Sequence, residues 1–115
     1  IVNIGADSVR NGLSDHAAYN AAKGGMHGLT TGLAREFAPY GITVNTVAPC
    51  VVETDAFTRV KASNPALAQR FVDAVPLGRP GKVEEVASMV AYLCLPEAAF
   101  VTGQVISVNG GSTML

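Results

Sequence analysis

An α/β fold built on a parallel sheet is what this sequence predicts, and three observations carry the prediction. Strand-like apolar runs alternate with helix-like segments along the 115 residues, and the connections between them are short. The β-branched run Ile42-Thr43-Val44-Asn45-Thr46-Val47-Ala48 is largely apolar on both faces. Alternation of this kind implies helices packed on the faces of a sheet. Two-sided apolarity suits a parallel strand that is covered above and below.

Residues 1–6 read as the first strand and residues 7–16 as a polar loop. Residues 17–38 read as a long helix stopped near Pro39, whose ring cannot continue it. The strand at 42–48 follows, and then a loop over Pro49–Asp55. Two short helices are predicted over 54–61 and 65–74. The second carries Pro65 in its first turn, where a missing N–H does no harm. A helix over 83–95 is ended by Pro96, and a last strand, 104–108, precedes Asn109-Gly110-Gly111. The strands at 1–6 and 42–48 both read as buried and in need of neighbours for their backbone groups.

Hydrophobic residues make up 49% of the chain and charged residues only 15%, a composition that forms a core. The length allows one small domain at most, so residues 1–115 are read as part of a single domain. The net charge of −1 gives no attraction to nucleic acid or a polyanionic surface. No apolar run is long enough for a membrane span and no signal-peptide pattern is present, so a cytoplasmic location is expected. Cys50 and Cys94 lie in no C-x-x-C or metal-type spacing and read as ordinary reduced thiols, with no metal site. The chain opens inside the run Ile1-Val2-Asn3-Ile4, without an initiator methionine, and reads as a fragment.

The pattern with chemical content is Tyr19-Asn20-Ala21-Ala22-Lys23 on the first turns of the long helix. Residues four apart share a helix face. A phenol is a poor base at neutral pH, but an ammonium held beside it favours the phenolate. A phenol tuned in this way can exchange a proton with a carbonyl or alcohol oxygen. Taken alone the pair is weak evidence, because tyrosine and lysine often fall four apart on a solvated helix face.

Further segments occur in order around it: Leu33-Ala34-Arg35-Glu36, then Gly41-Ile42-Thr43-Val44-Asn45-Thr46-Val47-Ala48-Pro49, Glu53-Thr54-Asp55, Thr102-Gly103-Gln104 and Val108-Asn109-Gly110-Gly111. Together with Ala18–Gly25 and the opening strand, they make the chain resemble the short-chain dehydrogenase/reductase family over essentially its whole length. The tone is that of 3-oxoacyl-carrier-protein reductases and related bacterial catabolic dehydrogenases. The resemblance implies the C-terminal half of a doubly wound, parallel-sheet Rossmann-type fold. It also implies NAD or NADP as cofactor, and hydride transfer between the nicotinamide and a secondary alcohol or ketone.

By that resemblance Tyr19 is the catalytic acid/base, and Lys23 lowers its pKa and holds the nicotinamide ribose. Pro49, Val52 and Thr54 then lie on the cofactor loop, with the Val52 backbone facing the carboxamide and Thr54 near the phosphates. The family pattern has Pro-Gly at the start of this loop, where this chain has Pro49-Cys50. Cys50 either alters the loop or is a packing residue, and packing is the preferred reading.

The family places its catalytic serine thirteen residues before the tyrosine, and Ala6 stands there. A hydroxyl is needed to stabilise charge developing on the substrate oxygen. Ser8 is the first candidate, the next reading is that no serine serves, and Ser14 comes last. Asp7 and His16 read as solvated loop polarity, with His16 the better candidate to touch substrate. Asn3 does not match the family's catalytic asparagine.

Gly24, Gly28 and Gly32 recur every four residues, each costing up to about 1 kcal/mol of helix propensity against alanine. Close packing on the sheet would account for them, and so would a contact with another subunit. The family resemblance implies both, with a homo-oligomer, commonly a tetramer. Against the dehydrogenase stands the alternative of a non-catalytic binding protein of the same fold, which only Ala6 favours. No glycine-rich phosphate turn occurs in these residues, so nothing in them selects NAD over NADP, and residues 1–115 alone are expected to be inactive.

Overall fold

The computed structural model describes residues 1–115. Three parallel strands, β1 (Val2–Ile4), β2 (Asn45–Pro49) and β3 (Val105–Val108), form one sheet in that order. Asn3 pairs with Thr46 in the first ladder, and Val47 with Ile106 in the second. Five α-helices accompany them: α1 (Ser8–Asn11), α2 (Ala17–Phe37), α3 (Asp55–Ser63), α4 (Pro65–Asp73) and α5 (Val83–Leu93). The alternating pattern thus gives a parallel sheet, with α2 crossing from β1 to β2 and α3 to α5 crossing from β2 to β3.

The helix ends follow from local chemistry. After α2 the chain makes a 3-10 turn over Ala38–Tyr40, with Pro39 in its first positions, and leaves through Gly41 at φ 70. The Thr54 hydroxyl accepts from the Phe57 N–H at 3.2 Å and caps α3. The Asn64 side chain does the same for Leu67 of α4 at 3.2 Å, just before Pro65. At the start of α5 the Glu85 carboxylate accepts from the Lys82 N–H at 2.8 Å and from both terminal nitrogens of Arg79. These are the expected partners for helix-terminal N–H groups that the helix itself leaves free.

Val44, Val47 and Ala48 are fully buried, and Val47, Leu93 and Ala98 form the core between the sheet and α5. Asn45 is also buried. Its amide donates to the Val101 carbonyl at 2.8 Å and its carbonyl accepts from the Gln104 N–H at 3.0 Å, which ties the approach to β3 onto β2.

Two expectations change here. The opening strand is shorter than 1–6, and only β2 is buried: Ile4 is 43% exposed, because β1 forms one edge of the sheet. Residues 7–16 are not all loop, since Ser8–Asn11 close one helical turn that ends at Gly12 in the left-handed region.

The glycine stripe of α2 does not pack on the sheet. A Cβ added at Gly28 or Gly32 would meet nothing within 4 Å, and one at Gly24 would meet only Val9 at 3.5 Å. The side of α2 turned to the sheet is Lys23, His27, Thr30 and Ala34, spaced four, three and four apart. It is largely polar, and each polar member has a hydrogen-bond partner on the sheet side. The Thr30 hydroxyl donates to the Met26 carbonyl at 2.9 Å, so its contact with the buried Thr46 hydroxyl at 2.6 Å is accepted from Thr46. No helix is long and apolar enough to cross a membrane.

Candidate functional site

The C-terminal ends of β1 and β2 lie side by side, and the segments that leave them enclose a cavity of about 290 Å³. Ala6, Ser8, Leu13 and His16 contribute from the β1 side, Tyr19 from α2, and Pro49, Cys50, Val52 and Thr54 from the β2 side. Phe57 and Val60 of α3, with Phe71 of α4, form an apolar wall. In open α/β sheets this is the end of the strands where ligands bind.

Tyr19 reaches the cavity from the first turn of α2 and is about half exposed. Lys23, one turn on, donates from Nζ to the Ile4 carbonyl at 2.8 Å and stands 6.0 Å from the centre of the Tyr19 ring. Two of its ammonium protons remain for other partners.

Ser8 lines the same cavity, whereas Ser14 does not. The Ser8 hydroxyl donates to Asn20 Oδ1 at 2.6 Å. Ser14 is exposed, and its carbonyl accepts from His16 Nδ1 at 2.9 Å. The His16 ring is half-buried and edge-on to two others, Tyr19 at 5.6 Å and Phe71 at 6.1 Å between centroids. That corrects the reading of His16 as a solvated loop residue.

Asp7 is the larger correction. It is fully buried and accepts hydrogen bonds from Ser107, Asn109 and Ser112, all near the C-terminus. Arg10 donates to the same Ser107 hydroxyl at 2.9 Å and to the Val105 carbonyl at 2.7 Å. Burial opposes charge on Asp7, but the hydrogen bonds, Ser112 foremost, outweigh it and hold the carboxyl below its ordinary value. A lone acidic residue in a short loop carried no sign of partners a hundred positions away.

His27 is the second residue that sequence reasoning passed over. Its Nε2 accepts from the Ala6 N–H at 3.3 Å, directly behind the position where the family pattern has serine. Burial, then the charges of Arg10 and Lys23, lower its pKa and keep the ring neutral, as an acceptor must be. The available signal was the four-residue step from Lys23 to His27.

On the β2 side, Val52 pairs with Gly81 in an isolated bridge, and its carbonyl accepts from the Thr54 N–H at 2.8 Å. The Thr54 hydroxyl proton stays free, because the cap uses only a lone pair. Cys50 adopts no left-handed backbone angle. Its thiol donates to the Asn109 carbonyl at 3.3 Å, and burial together with the charge of Asp7 pushes its pKa up. Cysteine therefore serves here as a packing residue. A phenol and a serine hydroxyl border an apolar cavity, and the Lys23 ammonium stands one helical turn from the phenol outside the cavity lining, an arrangement suited to proton transfer at a bound oxygen.

The description enoyl-(acyl-carrier-protein) reductase belongs to the family whose pattern matches residues 1–113. The chain is a member of the short-chain dehydrogenase/reductase family. It is 78% identical over all 115 residues to the 2,3-dihydroxy-2,3-dihydro-p-cumate dehydrogenase of Pseudomonas putida F1, of which it covers 44%. It is 45% identical over the same length to the 3-oxoacyl-[acyl-carrier-protein] reductase of Vibrio cholerae, of which it covers 46%. A crystal structure of a short-chain dehydrogenase/reductase from Brucella melitensis, described as a glucose/ribitol dehydrogenase, superposes with a TM-score of 0.86 at 38% identity. That match covers all of this chain and 45% of the other. The chain thus spans less than half the length of these relatives.

Proposed function

We propose that residues 1–115 are the catalytic part of a single NAD(P)-dependent dehydrogenase domain that oxidises a secondary alcohol on a small ring. The observation that carries this reading is the placement of Tyr19 in one apolar cavity with Ser8 and Thr54, while Lys23 is anchored one turn away. Tyr19 takes the proton from the alcohol oxygen. Lys23 favours the phenolate and has protons left for the ribose hydroxyls of the cofactor. Ser8 steadies charge on the reacting oxygen. Pro49, Val52 and Thr54 border the nicotinamide, with the free Thr54 hydroxyl proton directed to a cofactor oxygen. Bound nicotinamide supplies the hydride acceptor.

Shape supports a substrate class. A cavity of about 290 Å³ is at the small end for ligand sites and is walled by Phe57 and Phe71. That favours one ring with short substituents over a long acyl chain. The 78% identical relative, named for a dihydroxy-dihydro-p-cumate, supports a cyclic dihydrodiol. Assembly with copies of itself, as a homotetramer, belongs to the same reading and is supported by the bare glycine face of α2. The test is reduction of NAD or NADP by the intact enzyme with cyclic dihydrodiols, beside oxidation of NAD(P)H with short 3-oxoacyl thioesters. Turnover of the thioesters alone would overturn the ring-alcohol assignment.

A further inference from the structure

Asp15, just before α2, is the sole non-glycine residue with a positive φ, at 63°. A non-glycine side chain in this region costs backbone energy and points to a position that the surroundings hold in place. What the turn sets is the next residue, His16. Its ring is wedged edge-on between Tyr19 and Phe71, and Nδ1 donates to the Ser14 carbonyl at 2.9 Å. With a proton on Nδ1 given to the Ser14 carbonyl, Nε2 is the ring nitrogen left to offer a lone pair. The ring lines the cavity together with Tyr19.

We propose that His16 is a specificity residue for vicinal diols, with Nε2 accepting a hydrogen bond from the hydroxyl beside the carbon undergoing oxidation. This rests on the dehydrogenase reading above and adds the substrate's second oxygen to it. The phenol and the imidazole are neighbouring rings, so two oxygens on adjacent ring carbons can address one each. Most of the cavity lining is apolar, Leu13, Phe57, Val60 and Phe71 among it, and of its polar side chains only the His16 ring packs directly against the ring of Tyr19. A site that hydrogen-bonds a substrate hydroxyl discriminates strongly against the analogue that lacks it.

The experiment compares a cis-vicinal cyclic diol with the monohydroxy alcohol of the same ring in the intact enzyme. His16→Leu should lower kcat/KM for the diol about tenfold, mostly through KM, and leave the mono-alcohol within about twofold. His16→Gln, which carries an acceptor near the Nε2 position, should recover most of the loss. If the leucine variant does not fold, His16→Asn, polar but too short to reach, takes its place. Equal losses on both alcohols, or no loss on either, would overturn the inference while leaving the dehydrogenase reading intact. Wild-type enzyme inactive on both alcohols would overturn that reading, and the inference with it.

Discussion

The Lys23 ammonium and the Ile4 carbonyl meet at 2.8 Å, so the last residue of β1 holds the lysine one helical turn from Tyr19. A free lysine side chain has costly rotamer freedom, and this bond removes much of it before any ligand arrives. The two residues should therefore act as a unit. Tyr19→Phe should abolish nearly all turnover with the fold intact. Lys23→Met should follow it closely, and Lys23→Arg should not restore activity, since a planar guanidinium cannot reproduce the ammonium's directions. A phenylalanine variant that kept more than about a tenth of wild-type kcat, a loss below roughly 1.4 kcal/mol, would show that Tyr19 is not the acid/base.

Ser8 faces the cavity and Ser14 does not, which separates the two candidates. Ser8→Ala should cost on the order of 100-fold in kcat, as loss of a preorganised donor does, and Ser14→Ala should cost little. Asn20 adds a control. Its amide, turned over, would donate to Ser8 and release the serine proton toward substrate. Asn20→Asp can only accept, so it should hold that proton and depress kcat. Small, equal effects from both serine variants would assign the role elsewhere.

Asp7 fastens the end of β1 to the C-terminal segment through Ser107, Asn109 and Ser112. Its folded-state pKa lies below the ordinary 3.8, so its ionised form stabilises the fold above that value. The contribution is lost as pH falls through 3.8 and on through the lower folded value. Asp7→Asn should destabilise the enzyme by about 2 kcal/mol or more near neutral pH, because an amide presents its own donors to groups that also donate. Denaturant titrations along a pH series should show the gap between wild type and variant closing in acid. A gap independent of pH would mean that the carboxylate charge is not what holds this network.

The elements were legible because their signals are local: β-branched runs, prolines at helix starts and stops, and Tyr19 and Lys23 at helical spacing. Partnerships across the sheet left no such trace. Asp7 looked like any polar loop residue until β3 brought Ser107 and Asn109 beside it. The regular glycines marked a face of α2 that the sheet leaves bare, because spacing reveals that residues share a face but not which face the sheet covers. The sheet-facing stripe is polar, opposite to the usual amphipathic rule. Lys23, His27 and Thr30 reach backbone or hydroxyl groups at the ends and middle of the strands, and only three-dimensional pairing identifies those groups.

Gly5 and His27 give the last test. A Cβ on Gly5 would lie 2.3 Å from His27 Nε2 and 2.7 Å from Thr46 Cγ2, closer than real contacts allow. The imidazole cannot simply swing away, because Nε2 holds the Ala6 N–H on the strand-to-site turn. Gly5→Ala should therefore cost about 1–3 kcal/mol, the usual range for overpacking, and shift Ala6 and Ser8 relative to Tyr19. His27→Ala removes the nearer obstacle, though not Thr46, and leaves the Ala6 N–H without its acceptor, a loss of about 1–3 kcal/mol. In the double variant the new methyl occupies space the imidazole has vacated. The two changes should then cost less together than the sum of the single losses, with a coupling of about 1 kcal/mol measured by denaturant unfolding. Strict additivity would mean that alanine at position 5 is accommodated without disturbing His27, and that the close approach of this ring is not what requires glycine there.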